Sequence, residues 1–487
     1  MHPRDMLRRR SSFAVGVLVI AIAGCAPVAA EGATDESALS KSCGNGTCSG
    51  RETCSTCPAD CGGCASDSGT PAPDSGTPAA DSGTPTADAG GAGGSCVSPY
   101  VVVPAGSTTT QIQAQLDAAA VGTSFCFQPG TYVTTTWLYP RDGQKLVCGA
   151  RRTCTLTGQD TYAGGIKAYG GEAGSTDIVV QGFIVERFAN DPSQPGFFCA
   201  LSAGWRAQII DNEIRYNDDR DVPLPDGTWY GGCGVSVPTG GVIRGNYIHH
   251  NTCIGVNGGP AVDATQLIEN NEISFNNSED GWTGHCSGMK VIGSTAGNYG
   301  TTMRGNVVHD NRGNGLWIDT NVYNAVFEGN TVYGNLEAGI DVETSYNAIV
   351  RNNVVTNNMI NGDGISASCY NANIISYESA GTQIYGNTVE APNGENGICL
   401  ATGTRTPGTR DVIVRDNVIK MRREAGQTSG PYSGAAYCCD PALNVHFENN
   451  DYYVDDVAGV RWQWLTPLTW SQWQMAGNDV TGSVTIW

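Results

Sequence analysis

The chain has 487 residues, 65 of them glycine, with only 15% charged residues and a formal charge of −20. Low charge with this much glycine is unlike a helical enzyme and fits an all-β chain rich in turns. The acidic balance argues against nucleic acid, whose phosphates need a basic face, but leaves room for an acidic polysaccharide at a local cationic or metal site.

Residues 1–24 read as an export signal. Arg8, Arg9 and Arg10 precede an apolar run from Phe13 to Ala23, too short to span a bilayer. Ile22-Ala23-Gly24-Cys25 resembles the bacterial lipobox. That resemblance implies cleavage before Cys25, acylation of its thiol, and an outer-membrane or cell-surface lipoprotein. Cleavage after Val28-Ala29-Ala30 is the alternative and would give a secreted protein. On either reading the chain is exported and meets a membrane only through an N-terminal lipid anchor. Residues 25–42 form a short tether. Cysteines 43, 48, 54, 57, 61 and 64 make a compact cluster. In an exported chain its C-x2-C pairs favour disulfides over zinc. Residues 65–95 repeat Asp67-Ser-Gly-Thr-Pro71 at Asp74 and Asp81 and then run into glycines, a composition that cannot bury a core and predicts a flexible linker.

Residues 96–487 form one array. A short text of apolar, charged, small, Asn, any, Val or Ile recurs at Asn246, Asn271, Asn306, Asn330, Asn353, Asn387 and Asn417. The shortest spacings are 23, 24 and 25 residues, so one turn of a solenoid takes about that length and the longer intervals carry loops. β-branched residues bounded by Gly and Asn make each turn of strands. A second Asn follows five residues on, and both sets are expected to stack as structural ladders. Arg244, Glu269, Arg304, Glu328 and Arg351 alternate in sign on consecutive rungs and predict a solvated charge ladder. Thr110 to Ala120 has Ile112, Leu116 and Ala119 at helical spacing and should cap the first rung. Trp462, Trp464, Trp470 and Trp473 should shield the last.

This text, with Phe125-Cys-Phe-Gln-Pro-Gly-Thr-Tyr-Val133 near its start, resembles the right-handed parallel β-helix superfamily of secreted carbohydrate-active proteins. The resemblance implies an all-β solenoid and a class that includes pectate, alginate and chondroitin lyases, glycosidases, epimerases and adhesins. It names no single activity. Leu316-Trp317-Ile318-Asp319 echoes a W-I-D-H text of one pectate lyase family, with Thr320 where that family has His.

The candidate chemistry lies on strands that open with Gly. Val235, Val256, Met289, Leu316, Ile340, Ile365 and Ile398 should point inward. One outward column then reads Ser236, Asn257, Lys290, Trp317, Asp341, Ser366, Cys399, and the column beside it Pro238, Gly259, Ile292, Asp319, Glu343, Ser368, Ala401. Lys290, Asp319, Asp341 and Glu343 thus gather beside an exposed Trp317. In a lyase reading Asp319, Asp341 and Glu343 hold Ca²⁺, which neutralises a uronate carboxylate, and Lys290 removes the adjacent proton. In a hydrolase reading Asp319 and Glu343, about 5 Å apart, serve as acid and nucleophile. A non-catalytic carbohydrate-binding or adhesive surface protein is the third reading. Trp317, Tyr323, Tyr346, Trp282 and His285 are the expected sugar contacts. The partner is a polysaccharide, and the chain is expected to be a monomer.

Overall fold

The computed structural model describes residues 96–487 apart from 169–173, 190–197, 218–231, 260, 262–264, 278–285, 294, 296, 360–371, 424–432 and 437–442. Cys25, the cysteine cluster, the linker, Trp282 and His285 lie outside the described residues.

Successive turns contribute short strands to three sheets that pair in parallel from one turn to the next, and the third sheet closes on an antiparallel pair, Val460–Trp464 with Thr466–Thr469. Helix α1 (Thr109–Ala118) covers the first turns, capped by Thr108 and buried through Ile112 and Leu116. One representative turn comprises β1 (Val242–Arg244) in the first sheet, β2 (Tyr247–His249) in the second and β3 (Ile254–Gly258) in the third. Ile243, Ile248 and Val256 point inward and are fully buried. Stacked with their counterparts they form one continuous apolar core. At the far end Trp462 and Trp473 are completely buried beside helix α2 (Trp470–Met475), the expected aromatic cap.

The asparagine ladders form as the repeat predicts. Between the first and second sheets the amide Nδ2 of Asn212 donates to Oδ1 of Asn246, and the pattern continues through Asn271, Asn306, Asn330, Asn353, Asn387, Asn417 and Asn450, each contact 2.9–3.1 Å. The column ends on Asp479, whose Oδ1 accepts from Asn450 Nδ2 at 2.9 Å. A second column joins Asn217, Asn251, Asn276, Asn311, Asn335, Asn358 and Asn373. Its amides explain the glycines that open the third-sheet strands. A Cβ on Gly315 would lie 2.9 Å from Asn335 Nδ2 and 2.6 Å from the Gly339 carbonyl oxygen.

The charge ladder is present in part. Glu269 is buried between Arg244 and Arg304, and the two guanidiniums hold its carboxyl below the usual range against the opposing effect of burial. Glu328 pairs with Arg351 at 3.0 Å. Among the described residues the pairs Cys96–Cys126, Cys148–Cys154, Cys199–Cys233 and Cys253–Cys286 are disulfides, and Cys399 is disulfide-bonded as well, which bears out the oxidised reading for those cysteines.

The turn between the first and second sheets holds a left-handed residue on each rung, among them Asn270, Gly305, Gly329 and Asn352. A Cβ on Gly305 would sit 2.5 Å from Asn270 Oδ1, whereas one on Gly329 meets nothing within 4 Å. Both substitutions carry the left-handed penalty of about 1–2 kcal/mol, but only one adds a collision. Asn270 is exposed and can turn its Oδ1 aside, so Gly305→Ala is expected to lower stability more than Gly329→Ala by about 0.5 kcal/mol, read from denaturant midpoints. Equal losses would remove the steric part of the argument.

The outer face of the second sheet carries a histidine in an unusual setting. His249 is buried against the ring of Tyr247, with centroids 3.9 Å apart. Burial, and then the neighbouring His250, push its pKa from the ordinary 6.5 down to about 4. The unfolded chain therefore binds this proton more tightly than the folded one. His249 leaves stability untouched above about pH 6.5 and subtracts from it as pH falls towards 4, by about 3 kcal/mol in total. Asp341 and Glu343, raised in the folded state, act in the opposite sense. The difference in unfolding free energy between His249→Gln and the parent isolates the histidine. It should shift in favour of the variant across this window, and a pH-independent difference would contradict the assignment.

Candidate functional site

Five consecutive third-sheet strands frame the site: β3, then β4 (Met289–Ile292), β5 (Leu316–Asp319), β6 (Ile340–Glu343) and β7 (Ala372–Tyr377), with β8 (Asn396–Ala401) beyond them. Burial of Val256, Met289, Leu316 and Ile340 fixes which side chains face outward. The register then places Asn257, Lys290, Trp317 and Asp341 in one column and Ile292 beside Asp319 in the next. Glu343 follows Asp319 by one rung, about 4.8 Å along the axis.

One rung differs from the sequence expectation. The strand stacked on β6 is β7 rather than the segment that starts at Gly364, which lies outside the described residues. Ile374 lies under Ile340, Ile375 beside Asp341 and Tyr377 beside Glu343. The reason is Asn373, whose Oδ1 takes the amide of Asn358 at 2.9 Å and so continues the second ladder. Ile365, Ser366 and Ser368 therefore do not supply the next positions of the inward and outward columns.

The outward residues are also less exposed than their column suggests. Trp317 is 5% exposed and Lys290 4%. The ammonium of Lys290 lies 3.3 Å from the centroid of the Trp317 ring and 3.2 Å from Asp319 Oδ2. Asp319 Oδ1 accepts from the hydroxyls of Thr320 at 2.8 Å and Thr344 at 3.2 Å. Trp317 Nε1 donates to Glu343 Oε2 at 3.0 Å. Asn314 Nδ2 donates to Asp341 Oδ2 at 3.2 Å, while Asp341 Oδ1 is shielded from solvent and has no hydrogen-bond partner.

Two residues that the sequence reading missed complete the cluster. The Arg405 guanidinium pairs with Glu343 and with Glu378, and the Arg405 amide donates to Glu378 Oε1 at 2.7 Å. Arg405 also lies over the Tyr377 ring, 5.0 Å from its centroid. Glu378 is almost fully buried, in a left-handed turn directly after β7. Arg405 comes from the non-repeating segment after β8, so no column of the repeat announces it. Glu378 likewise lies outside every ladder, so no pattern in the sequence marks it.

Four carboxylates and two cations at this density shift one another. Burial raises Asp341 well above the usual carboxylate range, and the nearby Glu343 and Asp319 add to the effect. Burial and Asp319 also raise Glu343, with Arg405 opposing. Burial lowers Lys290, with Asp319 opposing. Each shift favours the neutral form, which suits groups that exchange protons.

The arrangement does not fit a calcium ion. Calcium needs six to eight convergent oxygens, but Lys290 faces Asp319, and Arg405 with the indole of Trp317 takes both oxygens of Glu343. Among the described residues no group of three or more His, Cys, Asp or Glu is arranged to hold a metal.

Tyr323 and Tyr346 stand in the turn after the acidic strands as part of a stack. Tyr299 and Tyr323 are 4.7 Å apart between centroids, and Tyr323 and Tyr346 4.6 Å, with the ring planes nearly parallel. Both faces of Tyr323 are therefore covered. A sugar could stack only on an outer face of this trio, so Tyr299, absent from the sequence reading, and Tyr346 are the usable rings.

The chain's family-level likeness agrees with this architecture. A family described as a right handed beta helix region matches residues 195–376. The mannuronan C-5 epimerase AlgE6 A-module of Azotobacter vinelandii is 18% identical with a TM-score of 0.52, the likeness covering 78% of this chain and 96% of that one. The AlgE4 A-module of the same organism is 16% identical with a TM-score of 0.47, covering 79% and 95%. An alginate lyase, AlyF-OU02, in complex with G6 is 12% identical with a TM-score of 0.45, covering 74% and 86%. No curated protein sequence matches the chain. The family match and the likeness to the AlgE6 A-module establish the fold, a right-handed parallel β-helix.

Proposed function

We propose that the chain is a lyase acting on a uronate-containing polysaccharide, with Lys290 as the base. The observation that carries this reading is a buried lysine, 3.2 Å from Asp319 and in the same outward column as Asp341, whose basicity burial lowers while burial raises the pKa of Asp341. The fold shared with a mannuronan C-5 epimerase module fits a glycan substrate. Arg405, 43% exposed at its side chain, is the cation an incoming uronate meets first. The substrate carboxylate exchanges with Glu343 for the guanidinium, which uncovers the face above Lys290. Asp341 in its acid form donates to the same carboxylate and so offsets charge that builds there. Lys290 passes its ammonium proton to Asp319, 3.2 Å away, and the neutral amine then takes the proton α to the carboxylate. A carbon–carbon double bond forms, the glycosidic carbon–oxygen bond at the β position breaks, and the departing oxygen takes a proton from the cluster. No step needs a metal.

Hydrolysis is the second reading, because Asp319 and Glu343 lie one rung apart, the separation of a retaining pair. The test is incubation of the protein with acidic and neutral polysaccharides while ultraviolet absorbance reports unsaturated uronate. A rise on an acidic glycan supports the lyase. New reducing ends without that absorbance select hydrolysis, and neither signal over a broad panel leaves a binding protein. We place the protein at the cell surface through acylated Cys25. Fatty-acid labelling that survives Cys25→Ser would refute that anchor.

A further inference from the structure

The outward column that carries Lys290 and Trp317 continues towards the N-terminal end of the solenoid. The strand Gly165–Lys167 sets Lys167 beside Ser202, and the following strands bring Ser202 to Ser236, Ser236 to Asn257 and Asn257 to Lys290. Lys167 thus stands four rungs from Lys290, about 19 Å along the axis. The side chains between them are short and uncharged. Ser202, Ser236 and Asn257 are each half-exposed. A Cβ on Gly259, two residues on from Asn257, would meet nothing within 4 Å. Past Asp341 and Glu343 the same face is closed, since the outward residues Ile375, Cys399 and Ala401 are almost completely buried. A chain seated over Lys290 therefore has room to continue towards Lys167.

We infer that this shelf carries the rest of the uronate chain, and that Lys167 binds the carboxylate of a sugar several units away from the one beside Lys290. The inference rests on the uronate reading of the cluster. Lys290 pairs with Asp319 and Lys420 with Glu390, whereas no carboxylate among the described residues pairs with Lys167. Its ammonium lies 5.4 Å from the centroid of the Trp137 ring. That contact is worth about 0.5–1 kcal/mol and holds the cation without neutralising it. On a chain of formal charge −20, an unneutralised ammonium at the end of an uncharged shelf attracts an anion and rejects none of its neutral neighbours. A uronate chain carries one carboxylate per sugar, so two cations far apart on one axis read it at separated units. Between them the hydroxyls of Ser202 and Ser236 and the amide of Asn257 can exchange hydrogen bonds with sugar hydroxyls. A neutral glycan gains nothing from Lys167, and neither does an acidic one too short to reach it.

The test uses the full mature chain, cysteines oxidised, in a Lys290→Arg background that holds glycan without turnover. Calorimetry reads the binding of dimers and octamers of mannuronate and of galacturonate, with a neutral mannose octamer for comparison. Adding Lys167→Ala should weaken an acidic octamer about fivefold, the worth of a half-exposed charge pair, and leave its dimer unchanged. Lys167→Arg should keep the octamer affinity, and high salt should erase the effect of Lys167→Ala. Lys145→Ala removes an exposed lysine from the first sheet and should change nothing. An acidic octamer indifferent to Lys167→Ala would overturn the assignment. So would equal weakening of dimer and octamer, or the same loss with the neutral octamer. Octamer binding that depends on Lys167, without unsaturated uronate from the protein that retains Lys290, would keep the shelf and sink the lyase.

Discussion

Lys290→Met is expected to lower turnover on the glycan by about 10²–10⁴-fold, the usual contribution of a positioned base, while binding changes little. Met keeps the apolar contact with the Trp317 ring and removes the ammonium that faces Asp319 at 3.2 Å. The variant leaves a buried carboxylate without its cation, a change that commonly costs about 3–5 kcal/mol, so its fold must be checked by circular dichroism. Lys290→Arg supplies the control. It keeps the positive charge beside Asp319 but cannot release a proton. Both variants should therefore lack turnover, and Lys290→Arg should recover most of the stability. Appreciable turnover by Lys290→Arg would show that Lys290 is needed for its charge and that the base lies elsewhere in the cluster.

Asn330→Ala is expected to cost about 3–5 kcal/mol, near the upper end for a single substitution. Asn330 is 1% exposed. Its Nδ2 donates to the Met303 carbonyl oxygen and to Asn353 Oδ1, both at 2.9 Å. Its Oδ1 accepts from the backbone N–H and the side-chain amide of Asn306, both at 3.0 Å. Alanine leaves those four groups short of a partner in the interior. Because each rung contacts only its neighbours, hydrogen exchange should quicken first around Met303, Asn306 and Asn353. A midpoint shift worth under about 1 kcal/mol would show that water substitutes for the ladder.

Much of this architecture could be read from the residues because its period is enforced by burial. Asn246 to Asn417 recur in a text that only a stacked array satisfies, and the alternation in Leu316-Trp317-Ile318-Asp319 fixed which side chains face outward. The caps were legible for the same reason: Ile112 and Leu116 sit at helical spacing, and α1 spans Thr109–Ala118. The site was legible only where it lies on the repeat. Lys290, Trp317, Asp319, Asp341 and Glu343 come together because their strands are in register. Arg405 and Glu378 were not legible, since the segment that carries Arg405 has no counterpart on other rungs. The burial of Trp317 is not legible, because a column position says which way a side chain points and nothing about what lies over it. At one rung the opening glycine, Gly364, is a poorer marker of the strand than the ladder asparagine, Asn373, which continues the second column.

The first asparagine column runs one way, each amide donating towards the C-terminus, and its last acceptor is Asp479. Asp479 receives Asn450 N and Nδ2 at Oδ1, and Tyr452 Oη and Trp473 Nε1 at Oδ2, all at 2.9 Å. Four donors meet a group that offers only acceptors. An asparagine there would turn its own NH2 towards Tyr452 and Trp473, so a side chain that suits every earlier rung fails at the last. The column thus has a grammar with a stop signal: Asn means that another rung follows, and Asp means that none does. A solenoid shortened by design should close better when the asparagine of its new final rung is rewritten as aspartate and given donors to face.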